Sequence, residues 1–220
     1  SRLCPFGNRA WAAMEFKGVT KDFQYVHIDL GPTKPEWYSS VNPFGTVPCI
    51  FDDGKPVFES GVCVEYLEDK FPSGPSLFPG DAANKATVRA FIAKFGDGFI
   101  PAFYQLLMNK DPAADEEKAK ALREKLAKLE DLFSSGSPAG PFFLGDVPSA
   151  ADINLVPFLY RFIHTLGFYR GFELFPAGAT PRLAALMEAA KDVPAFANTL
   201  PPAEFIIAAY YRYAGGGAKK

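Results

Sequence analysis

Cys4, Pro5 and Phe6 precede a stretch that reads as a helix from Gly7 to Lys17, which puts a thiol at a helix start. Proline suits the first helical position, where its missing N–H would have had no partner. The unpaired N–H groups and dipole of that helix end stabilise negative charge, so the thiolate is favoured over the thiol. A thiolate is the attacking species in disulfide exchange, which points to redox or nucleophilic sulfur chemistry. Two further features bear on it. Thr46-Val47-Pro48 opens a strand directly after the loop Asn42-Pro43-Phe44-Gly45. A proline there cannot donate to a ladder, and with a cis bond before it Val47 would offer its N–H and C=O to an extended ligand. Glu59-Ser60 stands where a strand runs into a helix, a place where hydroxyl and N–H groups converge on an anion. Singly, each also reads as a buried small residue, a loop proline or an ordinary N-cap. A thiol, a peptide-like edge and a carboxylate-binding helix end together suit a small thiol peptide.

The elements that position these groups are legible in outline. Phe23 to Leu30 alternates apolar and polar residues as a strand does, and Gly31-Pro32 breaks it. Lys34 to Tyr38 reads as a short helix with Pro35 near its first position. Val47 to Phe51 reads as a strand, Asp52-Asp53-Gly54-Lys55 as a turn favouring positive φ, and Pro56-Val57-Phe58 as a short antiparallel return. From Ser60, the spacing of Val62, Tyr66, Leu67 and Phe71 is helical. Proline and glycine recur from Phe71 to Gly80, marking a linker and a domain boundary.

Beyond it the pattern is helical only. Asp81 caps a long segment through Lys110, and Pro112 to Phe133 is charged and amphipathic. After the loop Gly136 to Pro148, Ser149 to Asp152 forms a capping box for a mostly apolar, buried helix from Ala150 to His164. Pro181 to Lys191 and Pro194 to Tyr211 complete the set, and Gly215 to Lys220 reads as a frayed tail.

The chain has 220 residues, 48% of them hydrophobic, enough to bury a full core in one or two domains. A net charge of −2 with interspersed signs gives no reason to expect nucleic acid as a partner. No apolar run approaches the roughly 18 residues needed to span a bilayer. Cys4, Cys49 and Cys63 lack the spacing of a zinc site or a disulfide framework, so no metal is expected and a reducing, cytoplasmic setting fits. Twenty-two phenylalanines suggest either a phenylalanine-rich core or an aromatic-lined pocket.

Cys4-Pro5-Phe6 with Arg9-Ala10-Trp11, Lys34-Pro35-Glu36-Trp37, Asn42-Pro43-Phe44-Gly45, Val47-Pro48, Phe58-Glu59-Ser60 and the Ser149 to Asp152 box together resemble the cytosolic glutathione transferases, more narrowly the cysteine-type omega and lambda classes. The resemblance spans essentially the whole chain. It implies a thioredoxin-like α/β domain over 1–72 that binds glutathione and an all-α domain over 81–214 that binds the acceptor, usually in a homodimer. It also implies that Cys4 is the catalytic thiol, that Phe6, Lys34 and the Val47 backbone hold glutathione with Pro48 in cis, and that Glu59 and Ser60 take its γ-glutamyl end. The family's first strand should end just before Ser1, so a longer native chain is expected. The residue three after Cys4 is Gly7, so Cys4 has no local cysteine partner; Cys49 and Cys63 read as buried small residues.

A lone nucleophilic cysteine must be resolved by an external thiol. The implied chemistry is thiol transfer, deglutathionylation and dehydroascorbate-type reduction, ahead of conjugation. The expected acceptor pocket lies between Cys4 and the second domain. Phe99, Phe103, Phe158 and Phe162, with Phe6, Phe95 and Tyr104, are candidates for its aromatic wall, and Arg161 for contact with an acidic group. Competing readings are a ligand-carrying or complex-docking protein without catalysis, and one half of a tandem thiol-dependent reductase.

Overall fold

The computed structural model describes residues 1–31, 34–137 and 139–215. Pro32, expected to break a strand, and most of the expected frayed tail lie outside them. Helix α1, Pro5–Phe16, starts with Cys4 as N-cap and Pro5 in its first turn. A short 3-10 turn, Thr20–Asp22, follows, then helix α2, Tyr38–Val41. Strands β1, Cys49–Asp52, and β2, Lys55–Phe58, pair antiparallel with Cys49 opposite Phe58 and Asp52 opposite Lys55. The two-residue connection needs positive φ at both positions. Asp53 and Gly54 supply it at 47° and 79°. Helix α3, Ser60–Lys70, closes the first domain.

The second domain is helical: α4, Ala82–Gly98; α5, Ile100–Leu107; α6, Asp115–Ser134; α7, Ala150–Arg170; α8, Pro181–Ala189; α9, Pro194–Ala197; and α10, Ala203–Tyr210. Helix α7 is the central post, packed against α1, α4, α5, α8 and α10. The expected capping box is formed. Asp152 accepts from the N–H and hydroxyl of Ser149 at 2.8 and 2.9 Å and from the N–H of Phe143 at 2.9 Å.

Five expectations change. Phe23 to Leu30 is not a strand: among the described residues the only sheet is β1–β2, and residues 24–29 join no ladder. Alternation indicates two faces but supplies no neighbouring strand. The helix expected at Lys34–Tyr38 begins only at Tyr38, after a turn at Glu36 and Trp37. The segment from Asp81 to Lys110 is two helices meeting at Phe99, where Pro101 in the first turn of α5 removes a donor that a continuous helix would need. Pro201-Pro202 likewise divides Pro194–Tyr211 into α9 and α10. In the other direction, α7 runs past His164 to Arg170 and stops at Gly171, whose φ of 61° is left-handed.

Eight of the phenylalanines resolve as two core clusters, whereas Phe6, Phe44, Phe51, Phe168 and Phe205 are exposed. Phe91, Phe133 and Phe143 pack with ring centroids 4.6–5.8 Å apart. Phe95, Phe99, Phe103, Phe158 and Phe162 form a second cluster, with Phe103 and Phe162 stacked at 3.5 Å. All eight are buried.

Candidate functional site

Cys4 takes its position from two directions. Its extended backbone, φ −74° and ψ 124°, feeds the first turn of α1, where Asn8 N–H donates to its carbonyl at 3.0 Å. The residues before it are held by Arg161 of α7, a fully buried guanidinium. Arg161 donates to the carbonyls of Leu3 at 2.9 Å, Arg2 at 3.2 Å and Pro157 at 2.7 Å, and to Asn8 Oδ1 at 3.2 Å. Burial lowers its pKa, with Tyr210 and Cys4 acting in the opposite direction. Arg161 therefore faces its own chain, where the sequence suggested contact with an acidic group of the acceptor. Its anchoring role was not foreseen, since nothing in an apolar helix pattern says that its arginine will be enclosed.

Arg9, one turn along α1, is a second buried cation. It donates to Asn154 O at 3.0 Å and to Ser60 Oγ at 3.1 Å, tying α1 to α7 and to the start of α3. Its guanidinium lies 4.5 Å from the Phe158 ring centroid and 5.3 Å from that of Phe6. Burial lowers its pKa to about 9, against the influence of Cys4.

A cleft of about 310 Å³ opens beside the thiol, lined by Cys4, Phe6, Leu30, Lys34, Gly45, Thr46, Val47, Glu59 and Ser60. Of the residues expected to surround a thiol peptide, Cys4, Phe6, Lys34, Val47, Glu59 and Ser60 thus converge from four separate parts of the first domain, while Pro48 is not in the lining. Val47 precedes a cis peptide bond to Pro48. The loop before it is held through Thr46, whose carbonyl accepts from Tyr38 Oη at 2.6 Å and Asn42 Nδ2 at 2.8 Å. Lys34 Nζ donates to the carbonyls of Asp29 at 2.5 Å and Gly31 at 3.0 Å, which keeps its charge at the cleft. Glu59 carries φ 69° and ψ 119°, a conformation that L residues disfavour. Such strain costs on the order of 1–3 kcal/mol and clusters at functional sites. No motif rule exposes that strain in sequence.

On its other side Cys4 opens into a second cavity, about 180 Å³, between α1 and the second domain. Its lining is Leu3, Cys4, Pro5, Phe6, Leu30, Tyr104, Ala209, Tyr210, Arg212 and Tyr213. Of the aromatic residues expected on the acceptor wall beyond Phe6, only Tyr104 is there. Phe99, Phe103, Phe158 and Phe162 line neither cavity and belong to the core behind it. The wall is built instead by the end of α10 and the turns after it. Cys4, Phe6 and Leu30 are common to both cavities.

The other thiols are set apart by their surroundings. Burial pushes the Cys63 thiol up to about 12, and its Sγ lies 3.3 Å from Val57 O. Burial also raises that of half-buried Cys49. Neither lines a cavity beside Cys4.

The family pattern described as "Glutathione S-transferase, N-terminal domain" matches residues 3–70, and "Glutathione S-transferase, C-terminal domain" matches residues 86–199. The chain is 33% identical to glutathione S-transferase L3 of Arabidopsis thaliana, over 94% of this chain and 83% of that protein. Its fold is similar to that of glutathione transferase Omega 3C from Trametes versicolor, with a TM-score of 0.81 and 28% identity over 98% of this chain and 89% of that one. It is also similar to Chlamydomonas reinhardtii dehydroascorbate reductase, with a TM-score of 0.72 and 29% identity over 96% and 90% of the two chains.

Proposed function

Because this chain belongs to the glutathione S-transferase family, we propose that it is a glutathione-dependent thiol transferase in which Cys4 is the nucleophile. The observation that carries this reading is the place of Cys4 on both cavities at once. A sulfur so placed reaches a glutathione sulfur on one side and an acceptor on the other. Lys34, the Val47 backbone, Glu59 and Ser60, with Phe6 and Pro48 beside them, are assigned to glutathione. Lys34 suits its glycyl carboxylate, and Glu59 with the N-terminal turn of α3 suits the γ-glutamyl end, which carries both an ammonium and a carboxylate.

The cycle balances as two exchanges. The Cys4 thiolate attacks the glutathione sulfur of a mixed disulfide, forming a Cys4–glutathione disulfide, and the acceptor thiol leaves and takes up a proton. A second glutathione thiolate then attacks the glutathione sulfur of that disulfide, so oxidised glutathione departs and Cys4 is regenerated. No second protein thiol enters, in keeping with the withdrawn Cys49 and Cys63. In dehydroascorbate-type reduction the Cys4 thiolate adds to a carbonyl carbon of dehydroascorbate. A first glutathione thiolate then attacks the Cys4 sulfur, so that the C–S electron pair leaves with ascorbate and a Cys4–glutathione disulfide remains. A second glutathione resolves it as above. We further propose that residues 1–72 hold glutathione, that residues 81–214 shape the acceptor site, and that the protein works in the cytoplasm as a homodimer. Size-exclusion chromatography with light scattering tests the last point.

The test of function compares glutathione-dependent reduction of a mixed disulfide and of dehydroascorbate with conjugation of a chlorinated nitroaromatic. Reduction should dominate and should vanish in Cys4→Ala. Faster conjugation than reduction, or reduction that survives Cys4→Ala, overturns the reading.

A further inference from the structure

The cavity of Tyr104, Tyr210, Arg212 and Tyr213 differs in charge from the glutathione cleft. The cleft is lined by both a lysine and a glutamate, Lys34 and Glu59. In the cavity Arg212 is the sole lysine, arginine, aspartate or glutamate in the lining. Arg212 donates through Nη2 to Tyr213 Oη at 3.0 Å and lies 4.8 Å from that ring's centroid, which turns it along the cavity wall. Among the described residues no carboxylate forms an ion pair with it. A guanidinium has five N–H donors in a planar fork, so the rest remain for a carboxylate.

Tyr104 and Tyr210 present their hydroxyls to each other at 3.4 Å. Two hydroxyls hold two protons, and only one is used between them. Burial raises both phenols, so they stay neutral donors. The Arg161 guanidinium, occupied by four protein oxygens, adds positive charge felt at both hydroxyls. The volume of about 180 Å³ is close to that of a cavity known to admit one benzene ring, about 150 Å³. We propose that this cavity selects acceptors made of a single ring bearing a carboxylate, with Arg212 and the Tyr104–Tyr210 pair as its recognition groups. The proposal rests on the thiol-transfer reading and adds the acceptor's class to it.

Two mixed disulfides of glutathione, one with 4-mercaptobenzoate and one with 4-mercaptobenzamide, differ in charge at nearly equal size. Rates with free glutathione alone give their intrinsic reactivities, which are divided out. The wild-type protein should favour the benzoate about tenfold in kcat/KM, the factor expected of one charge-assisted pair. Arg212→Gln should abolish the preference, bringing the benzoate-to-benzamide ratio of kcat/KM from about ten to about one. Calorimetry with 4-(methylthio)benzoate and its amide reads the same preference without any sulfur exchange. If neither disulfide is turned over yet the benzoate still binds better than the amide, thiol transfer fails as the activity while the charge selection stands. Equal rates and equal binding for the two rings, or a benzoate preference that survives Arg212→Gln, overturn the proposal.

Discussion

At the scale of single residues, the contrast between three cysteines decides where covalent chemistry is to be sought. Cys63 is sealed under β2 with its thiol pushed up to about 12, whereas Cys4 faces two cavities from a helix start. Oxidised glutathione should therefore add one glutathione unit to the protein by intact-mass analysis, and Cys4→Ala should abolish it. An adduct on Cys49 or Cys63 in that variant contradicts the assignment. Cys4→Ser should leave glutathione affinity near the wild-type value, since Lys34, Val47, Glu59 and Ser60 are untouched. Thiol transfer should collapse because serine forms no disulfide, and weak conjugation should appear as its hydroxyl hydrogen-bonds the glutathione sulfur. Calorimetry and the two rate assays separate these outcomes. Arg161→Leu leaves three carbonyls and Asn8 Oδ1 without their donor. Urea unfolding should report a loss of about 2–4 kcal/mol.

At the scale of elements, α7 depends on its buried start. Asp152 is enclosed, and burial raises its pKa from 3.8 to about 6 even though the Ser149 and Phe143 donors favour the ionised form. A carboxylate raised in the folded state contributes stability that is fully present below its unfolded pKa and lost as pH rises through the folded value. The wild-type protein should thus lose stability from this group as pH rises from about 4 to 6. Asp152→Asn, which does not titrate, should lack that slope in denaturant curves taken across the window. It should also be less stable overall, because an amide leaves one of the two acceptor oxygens replaced by a donor facing N–H groups. A slope identical in both proteins would assign the pH dependence to other groups.

The whole molecule is joined across its linker by one carboxylate. Glu68 of α3 accepts from Leu77 N–H at 2.9 Å and from Lys17 Nζ at 2.7 Å, and Ser76 Oγ donates to its other oxygen. Leu77 O in turn accepts from Ala150 N–H at 2.6 Å, at the head of α7. Helix α1, the linker and the second domain are thereby tied at one point, while Arg9 and Arg161 tie them at another. Burial works to raise the Glu68 pKa, but the Leu77, Lys17 and Ser76 donors outweigh it and the net shift is downward. A lowered carboxylate contributes stability above its unfolded pKa that is lost as pH falls through the folded one. Glu68→Gln should cost about 2–3 kcal/mol at neutral pH, because the Lys17 ammonium is left buried without its partner. The gap between the variant and the wild-type protein should close below the usual glutamate range. Thermal unfolding at both pH values measures it, and a gap that persists in acid would show that charge is not its origin.

Features that depend on near neighbours in the chain were readable in the sequence. The thiol at a helix start follows from Cys4-Pro5, the hairpin from Asp53-Gly54 and the capping box from Ser149 and Asp152, because each is a backbone requirement met within four residues. Of the residues lining the larger cleft beside the thiol, Cys4, Val47, Glu59 and Ser60 stand in local patterns of the same kind, whereas Lys34 and Phe6 entered only through the family resemblance. What the tertiary structure alone decided is which side chains meet across long separations. Helical spacing marks Phe99, Phe103, Phe158 and Phe162 as apolar but does not say whether a neighbour or a ligand covers them, and packing put them in the core. Tyr210, Arg212 and Tyr213 reach Cys4 only because α10 docks on α7, some two hundred residues along the chain. The strand expected at Phe23–Leu30 failed for the same reason: periodicity supplies a face, and a ladder needs a partner.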